Sequence, residues 1–313
     1  MDLQQLRTLK HVAELGSLSR AADRLRIAQP ALSRQIRLLE QELGTPLFER
    51  HGRGMVITEA GREVLAHALR IMAEVEEIRA KADDAGGTLT GRVVLGMPPT
   101  IGEIITVPLV QAFQASHPQV ELSFVSAFSG YLLDWQQRGE LDLAVLYDPQ
   151  TTRSLRTRPL LLESFFLIGP PAARLDGVTP VRFAELADWP LVLPGARHAM
   201  RTIFQRCAAE AGIALKVRIE ADSLAAMKDL VRGGYGATLL PLAPIHDDIV
   251  AGRLTAAPLI DPLPTRRMAL SFPGDRPVSR AVHFAAEAIG KIVADMVGRG
   301  VWSGELLTQD AAK

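Results

Sequence analysis

Between residues 29 and 53 the sequence gathers side chains that can read or grip a polyanion. Gln29, Pro30, Ser33, Arg34 and Arg37 lead the helical pattern "QPALSRQIRLLEQELG", and Arg50 and Arg53 follow within a short basic, glycine-bearing stretch. Arginine can hold guanine through two parallel hydrogen bonds, and glutamine can pair with adenine in the same two-point manner. Hydroxyls near a helix start suit phosphate, because first-turn amides have no helical partner. The blander account is a solvated helix face, since surface arginines are common and Gln29-Pro30 can serve merely to start a helix. The scaffold around these residues must decide.

A second group lies further along. "MPPT", Met97 to Thr100, ends an extended run and starts a helix, where free amides and the Thr100 hydroxyl form an anion nest. "SAFSG", Ser126 to Gly130, repeats that arrangement, with Ser129 expected to cap the next helix. "LPGARHAM" offers Pro194, Gly195, Arg197 and His198 before another helix. Each has an ordinary structural role to weigh against it: Ser and Thr at helix starts are usually caps, and a histidine there is usually a local structural group. Together they suit a small polar metabolite, with a carboxylate as one candidate.

Catalytic chemistry finds less support. There is no GxxxxGK[ST] phosphate loop, no G-x-S-x-G elbow and no H-E-x-x-H pair. The seven histidines are scattered without metal-ligand spacing, and Cys207 is the only cysteine, which excludes an intrachain disulfide. No enzyme activity, metal or cofactor is expected. Formal net charge is zero, and residues 1–65 hold ten Arg or Lys against eight Asp or Glu, so placement rather than total charge must carry a nucleic-acid reading. No apolar leader opens the chain, and the expectation is a soluble cytoplasmic protein without a membrane partner.

The elements that would position these groups are legible. A length of 313 residues with 48% apolar residues predicts two or three domains with a sizeable core. Leu3, Leu6, Leu9, Val12 and Ala13 recur at helical spacing up to about Leu15. Ser17 or Ser19 can cap a second helix with Leu18, Ala21, Ala22 and Leu25 inward. The third opens at Gln29-Pro30, buries Leu32, Ile36, Leu39 and Leu43, and ends at Gly44. "TPLFERHGRGMVITEAG" then has the form of a small β-wing. From Thr58 a long helix repeats Gly61, Val64, Ala68, Ile71, Val75, Ile78 and Ala82 at steps of three and four, a heptad seam that pairs two chains or lies on its own domain. After "DDAGGTLTG" the grammar turns α/β, with strands at "RVVLGM", "VELSFVS", "LDLAVLY", "LLLESFFLIG" and "RMALSF" separated by helices. Ser279 to Val297 reads as a closing helix, and the residues after Gly298 as a loose tail.

Two helices at this spacing, followed by a wing, are what a helix-turn-helix requires. At this point the chain resembles the LysR-type transcriptional regulators. The resemblance is carried by "VAELGSLSRAADRLRIAQPALSRQIRLLEQELGTPLFER" from Val12 to Arg50 and "TEAG" from Thr58, and extends over essentially the whole length. Leu9 stands where an aromatic is usual, and Arg26 and Ile27 vary the joint; neither departure touches the outer face of the third helix. The resemblance implies an α/β chain overall: a winged helix-turn-helix at 1–58, a dimerising linker helix at 59–85, a hinge at 86–91 and an effector domain at 92–313. The effector domain would comprise lobe I (92–161 and 267–297) and lobe II (162–266), like periplasmic binding proteins, with the effector between them. It also implies DNA contacts at Gln29, Pro30, Ser33 and Arg34, wing contacts at Arg50 and Arg53, and a pocket-closing turn at "GGYGA", Gly233 to Ala237. Implied partners are promoter DNA, further copies of the chain in a homotetramer, and RNA polymerase, with the protein an activator or repressor. "LPGARHAMR" looks closest to members governing nitrogen assimilation or small-metabolite pathways.

Overall fold

A computed structural model describes residues 1–51, 54–83, 89–149, 155–196, 198–274 and 278–307. Its first part holds α1 (Leu3–Leu15), α2 (Leu18–Leu25), α3 (Gln29–Leu43), the hairpin strands β1 (Phe48–His51) and β2 (Gly54–Ile57), and α4 (Glu59–Asp83). Local chemistry sets the ends. Asp2 and Gln5 form a reciprocal capping box on α1, and Ser17, rather than Ser19, accepts from Arg20 N–H to cap α2. Gly16 and Gly44 close α1 and α3 in the left-handed conformation. Leu6, Leu9, Val12, Ala21, Ala22, Leu32, Ile36 and Leu39 make one apolar core with Leu47, Phe48 and Ala68. Leu43, expected in that core, is 38% exposed in the last turn of α3 before Gly44.

The long helix begins where Thr58 accepts from Gly61 N–H at 2.9 Å. Its 25 residues extend about 37 Å. The seam divides into two stretches with different surroundings. Gly61 and Ala68 are buried and Val64 partly so against the small domain, whereas Ile71 and Ile78 are 39% and 65% exposed. Ala82 belongs to a stretch whose side chains lie outside the description.

The second part is α/β. A six-stranded mixed sheet runs in the order β14-β6-β13-β5-β3-β4. It is built from β3 (Gly91–Met97), β4 (Val120–Ser126), β5 (Leu143–Tyr147), β6 (Leu155–Ser164), β13 (Thr265–Pro273) and β14 (Gly304–Leu306). Helices α5 (Pro99–Ser116), α6 (Ser129–Gln137) and α10 (Arg280–Gly298) accompany it. In the middle of the chain, β7 (Phe166–Gly169), β8 (Val181–Arg182), β11 (Thr238–Leu240) and β12 (Thr255–Ile260) form a sheet in the order β11-β7-β12-β8, beside the parallel pair β9 (Leu191–Leu193) and β10 (Val217–Glu220). Helices α7 (Ala199–Glu210), α8 (Leu224–Arg232) and α9 (His246–Val250) belong here. Each sheet has its own apolar core, so there are two lobes. The crossing strands stay in the first lobe's sheet up to Ser164 and from Thr265 onward.

One expectation fails outright. The residues after Gly298 are not a loose tail up to the end of the description at Leu307. Trp302 is 1% exposed, β14 pairs antiparallel with β6, and Leu307 N–H donates to Leu160 carbonyl at 2.9 Å. The tail ladder adds an edge strand to the first lobe.

Candidate nucleic-acid interface and ligand cleft

α3 separates its faces sharply. Leu32, Ile36 and Leu39 are buried, while Gln29, Pro30, Arg34 and Arg37 are exposed and Ser33 is half-buried. Pro30 falls in the first turn, where its missing N–H leaves no helical bond unmade. α1 ties to α3 through the Thr8 hydroxyl and Gln35. The wing is held to the same helix: Glu40 accepts from Leu47 N–H at 2.8 Å and Phe48 N–H at 3.2 Å. It is held to α1 as well, where Met55 N–H donates to Gly16 carbonyl at 2.9 Å. The exposed row on α3 and the wing therefore move as one body. Gly61 secures that body to α4, since a Cβ there would lie 2.2 Å from the Leu47 carbonyl oxygen. Arg53 and the side chain of Arg50 lie outside the described residues.

Between the lobes is a cleft of about 950 Å³. Thr100, Ser129, Gly195 and His198 all line it; Pro194 does not, being buried with its carbonyl accepting from Arg201 at 3.1 Å. Arg197 lies outside the described residues. The expected cap role of Ser129 is corrected: Phe128 occupies the cap position of α6 without a side-chain bond, and Ser129 Oγ instead accepts from Tyr147 N–H at 3.0 Å. Pro98 likewise starts α5 without a side-chain cap, so both helices enter the cleft with side-chain-free N-termini.

His198 behaves as a structural group and a wall residue together. Its Nδ1 caps α7 by accepting from Met200 N–H at 3.2 Å. Its ring meets Phe128 of the other lobe edge-on, centroids 4.9 Å apart. Burial lowers its pKa below the ordinary value, with Asp222 opposing and Arg266 assisting. The neutral ring is what the cap needs, because Nδ1 must keep its lone pair.

Sequence reasoning missed the floor of the cleft. Arg266, 4% exposed, lines it from β13 and pairs with Glu163 of β6, itself fully buried. Arg266 Nη2 donates to Tyr147 Oη at 2.7 Å, and its guanidinium lies 3.5 Å from the centre of that ring. Tyr147 Oη is 3.1 Å from Thr100 Oγ1. Burial raises the Tyr147 pKa, so the phenol is neutral. The far oxygen of Glu163 accepts from Trp302 Nε1 at 2.7 Å. Pro99, Met200, Ile203, Leu224 and Met227 give the cleft an apolar wall, and the carboxylates of Asp134, Asp148 and Asp222 line it too. Among the described residues no group of three His, Cys, Asp or Glu could hold a metal ion, and no helix is long and apolar enough to cross a membrane.

Comparison with known proteins agrees with both halves. The model of the bacterial regulatory helix-turn-helix protein, lysR family, matches residues 3–62, and that of the LysR substrate binding domain matches residues 86–291. HTH-type transcriptional regulator BbuR of Bordetella bronchiseptica is 30% identical over 304 residues, 97% of this chain and 94% of that protein. Nitrogen assimilation regulatory protein nac of Klebsiella aerogenes is 32% identical over 245 residues, 77% of this chain and 78% of that one. The structure of a full-length OxyR variant from Pseudomonas aeruginosa matches with a TM-score of 0.75 at 27% identity, covering 92% of this chain and 94% of the other. With a helix-turn-helix that exposes a polar, basic row and a two-lobed domain that encloses a cleft, the chain belongs to the LysR family of DNA-binding transcriptional regulators.

Proposed function

We propose that this regulator reads an operator in promoter DNA through α3 and is switched by a small polar metabolite, a carboxylate, held between its lobes. The observation that carries the DNA half is the row Gln29, Pro30, Arg34 and Arg37, exposed directly opposite the buried Leu32, Ile36 and Leu39. Gln29 and Arg34 are assigned to base edges, Pro30, Ser33 and Arg37 to the approach along the backbone, and Arg50 and Arg53 to phosphate or the minor groove. The exposed Ile71 and Ile78 favour pairing of two linker helices, which places two reading helices on one imperfect palindrome. Two such dimers form the homotetramer, and ligand closure of the cleft shifts their relative placement and the contacts offered to RNA polymerase. That coupling requires the ligand to prefer one arrangement energetically. Thr100, Ser129, Gly195 and His198 are assigned to the effector, with Arg197 beside them in sequence and Pro194 supporting from behind.

The proposed switch is a ligand in the cleft, not a thiol. Cys207 is the only cysteine, it is buried, and burial raises its thiol pKa. Such a thiol is a weak nucleophile without a partner for a disulfide.

The test is gel retardation of fragments spanning the gene's own upstream region by the full-length protein, with excess nonspecific DNA. A specific shift is expected. Its absence across the region, with folded oligomeric protein, counts against operator reading by α3 at its own promoter.

A further inference from the structure

The DNA-reading half and lobe I face one another across a second crevice, of about 940 Å³. Leu65, Leu69 and Met72 of α4 line one side, and Val94, Val125 and Val282 of lobe I the other. Its charged end joins α1 to the residues that follow α6: Lys10, Glu14, Arg138 and Glu140 all line it. Each side is paired within itself, Lys10 to Glu14 at 3.8 Å and Arg138 to Glu140 at 3.5 Å. The two pairs also feel one another. Burial raises the Glu140 pKa above the ordinary carboxylate value and Arg138 opposes it; Asp134 and, across the crevice, Glu14 add to the rise, while Lys10 counters it. The four side chains stay 35–42% exposed, so the contact is shallow. Ion pairs this open to water hold weakly, and a contact made of them is reversible.

One helix runs from this contact to the cleft. α6 is nine residues long and extends about 14 Å. At its start Phe128 meets His198 of lobe II, ring centroids 4.9 Å apart, and Tyr131 lines the cleft as well. A single side-chain bond, Tyr147 N–H to Ser129 Oγ at 3.0 Å, holds that first turn to β5. The other end is pinned harder. Gln136 is buried and exchanges two hydrogen bonds of 2.6 Å with Ser271 of β13. Just beyond Glu140, Asp142 exchanges two bonds of 2.9 Å with the Val94 backbone of β3. A push at Phe128 therefore tilts α6 about the Gln136 anchor and displaces Arg138 to Glu140 beyond it. On the far side of the contact, α1 braces the reading helix through Thr8 and Gln35, so the seating of α1 on lobe I sets where α3 points.

We infer that the end of α6, Arg138 to Glu140, is an intrachain docking surface for α1 at Lys10 and Glu14, and that α6 makes this docking answer to the cleft. The docking stands independently of the proposed effector; its control by α6 rests on the cleft being the effector site. The reading head then has two states, seated on lobe I and released. Contacts this weak leave the two states close in free energy, where the making or breaking of one ring contact at Phe128 can shift their populations.

The test is cross-linking of the full-length chain carrying Lys10→Cys and Glu140→Cys, treated with a short bismaleimide and read by denaturing gel and peptide mass. Cys207 is buried and does not compete. A link within one chain, migrating as monomer, is expected. It should be absent when Lys10→Cys is combined instead with Val178→Cys, at a lobe II side chain 80% exposed. No link between positions 10 and 140, or links only between chains, would overturn the docking. Phe128→Ala, at a side chain 43% exposed, is then added to the cross-linking pair. An edge-on ring pair is strong enough to shift a two-state equilibrium about two- to tenfold, so the rate of intrachain linking should change about twofold or more. An unchanged rate, with the link still forming, would overturn the role of α6 and leave the docking in place. No effector enters either measurement, so both results stand apart from whether the cleft binds a metabolite.

Discussion

Trp302→Phe is the sharpest test of how the C-terminal segment is built in. The indole is 1% exposed and donates at 2.7 Å to Glu163, which is fully buried. Phenylalanine keeps a ring in the core but has no N–H, so one oxygen of a buried carboxylate loses its partner. Hydrogen bonds to charged groups contribute about 1.5–3 kcal/mol, and the unmade acceptor keeps its desolvation cost. The smaller ring leaves space worth about 1 kcal/mol more. The sum is about 3 kcal/mol. Urea unfolding of the full chain, followed by circular dichroism, should show it. With a slope of about 1–3 kcal/mol per molar urea, the midpoint of the effector-half transition should fall by about 1 M or more. Leu306→Ala is the control: Leu306 sits in the same terminal strand but is 44% exposed, and a change of about 0.5 kcal/mol or less is expected. An unmoved midpoint in Trp302→Phe would refute the argument that β14 and Trp302 support the crossing strands.

Four other outcomes follow from the same geometry. Arg34→Ala should cost about 1–3 kcal/mol of discrimination at one base pair, read by competition between operator variants; equal loss on every sequence would assign Arg34 to phosphate. Gly61→Ala puts a Cβ 2.2 Å from the Leu47 carbonyl oxygen and 2.7 Å from Ile57 Cγ1, so it should lower the thermal midpoint of the DNA-binding half by an overpacking cost of about 1–3 kcal/mol. Ile78→Asp, at a side chain 65% exposed in one chain, should shift sedimentation toward monomer without altering circular dichroism; an unchanged dimer would remove Ile78 from the interface. Burial depresses the His198 pKa below its ordinary 6.5, so the unfolded chain takes up the proton first as pH falls. Effector-half stability should therefore decline as pH drops below about 6.5 and level off once the folded imidazole is also protonated; in His198→Gln that part of the pH profile should flatten.

The DNA-binding half was legible because its signals are local. Helical spacing, Ser17, Pro30, Gly16 and Gly44 each act within a few residues of themselves, and the three helices end where those residues stand. Lobe II was harder. Strand β12 contains Pro258, which argues against a central strand, yet it is tolerated because Pro258 falls between the Asp176–Ala256 bridge and the short pairing with β8. Ser129 was misjudged for a related reason. Its hydroxyl has a local use as a cap and a distant use at Tyr147, and only the parallel arrangement of β3 and β5 brings the distant one within reach.

The missed floor residues left a signal of their own. "LLLESFFLIG" is an apolar run broken by Glu163, and "TRRMALSF" opens an apolar strand with arginines. A lone carboxylate inside a buried run needs a cation, and a second buried strand that begins with one is the place to look. The register shows where this pair stands: Arg266 lies opposite Glu163 where the two crossing strands leave the first lobe. Both residues thus sit where the chain passes between the two lobes. In the closure proposed above, His198, Met200 and Leu224 belong to the lobe that moves toward the ligand, and Arg266, Tyr147 and Thr100 to the first lobe's framework. The proposal thereby gives recognition of the ligand and the motion it drives to different residues. On the proposed reading, the floor selects the ligand's chemistry and the wall of lobe II passes its binding on to the linker helices.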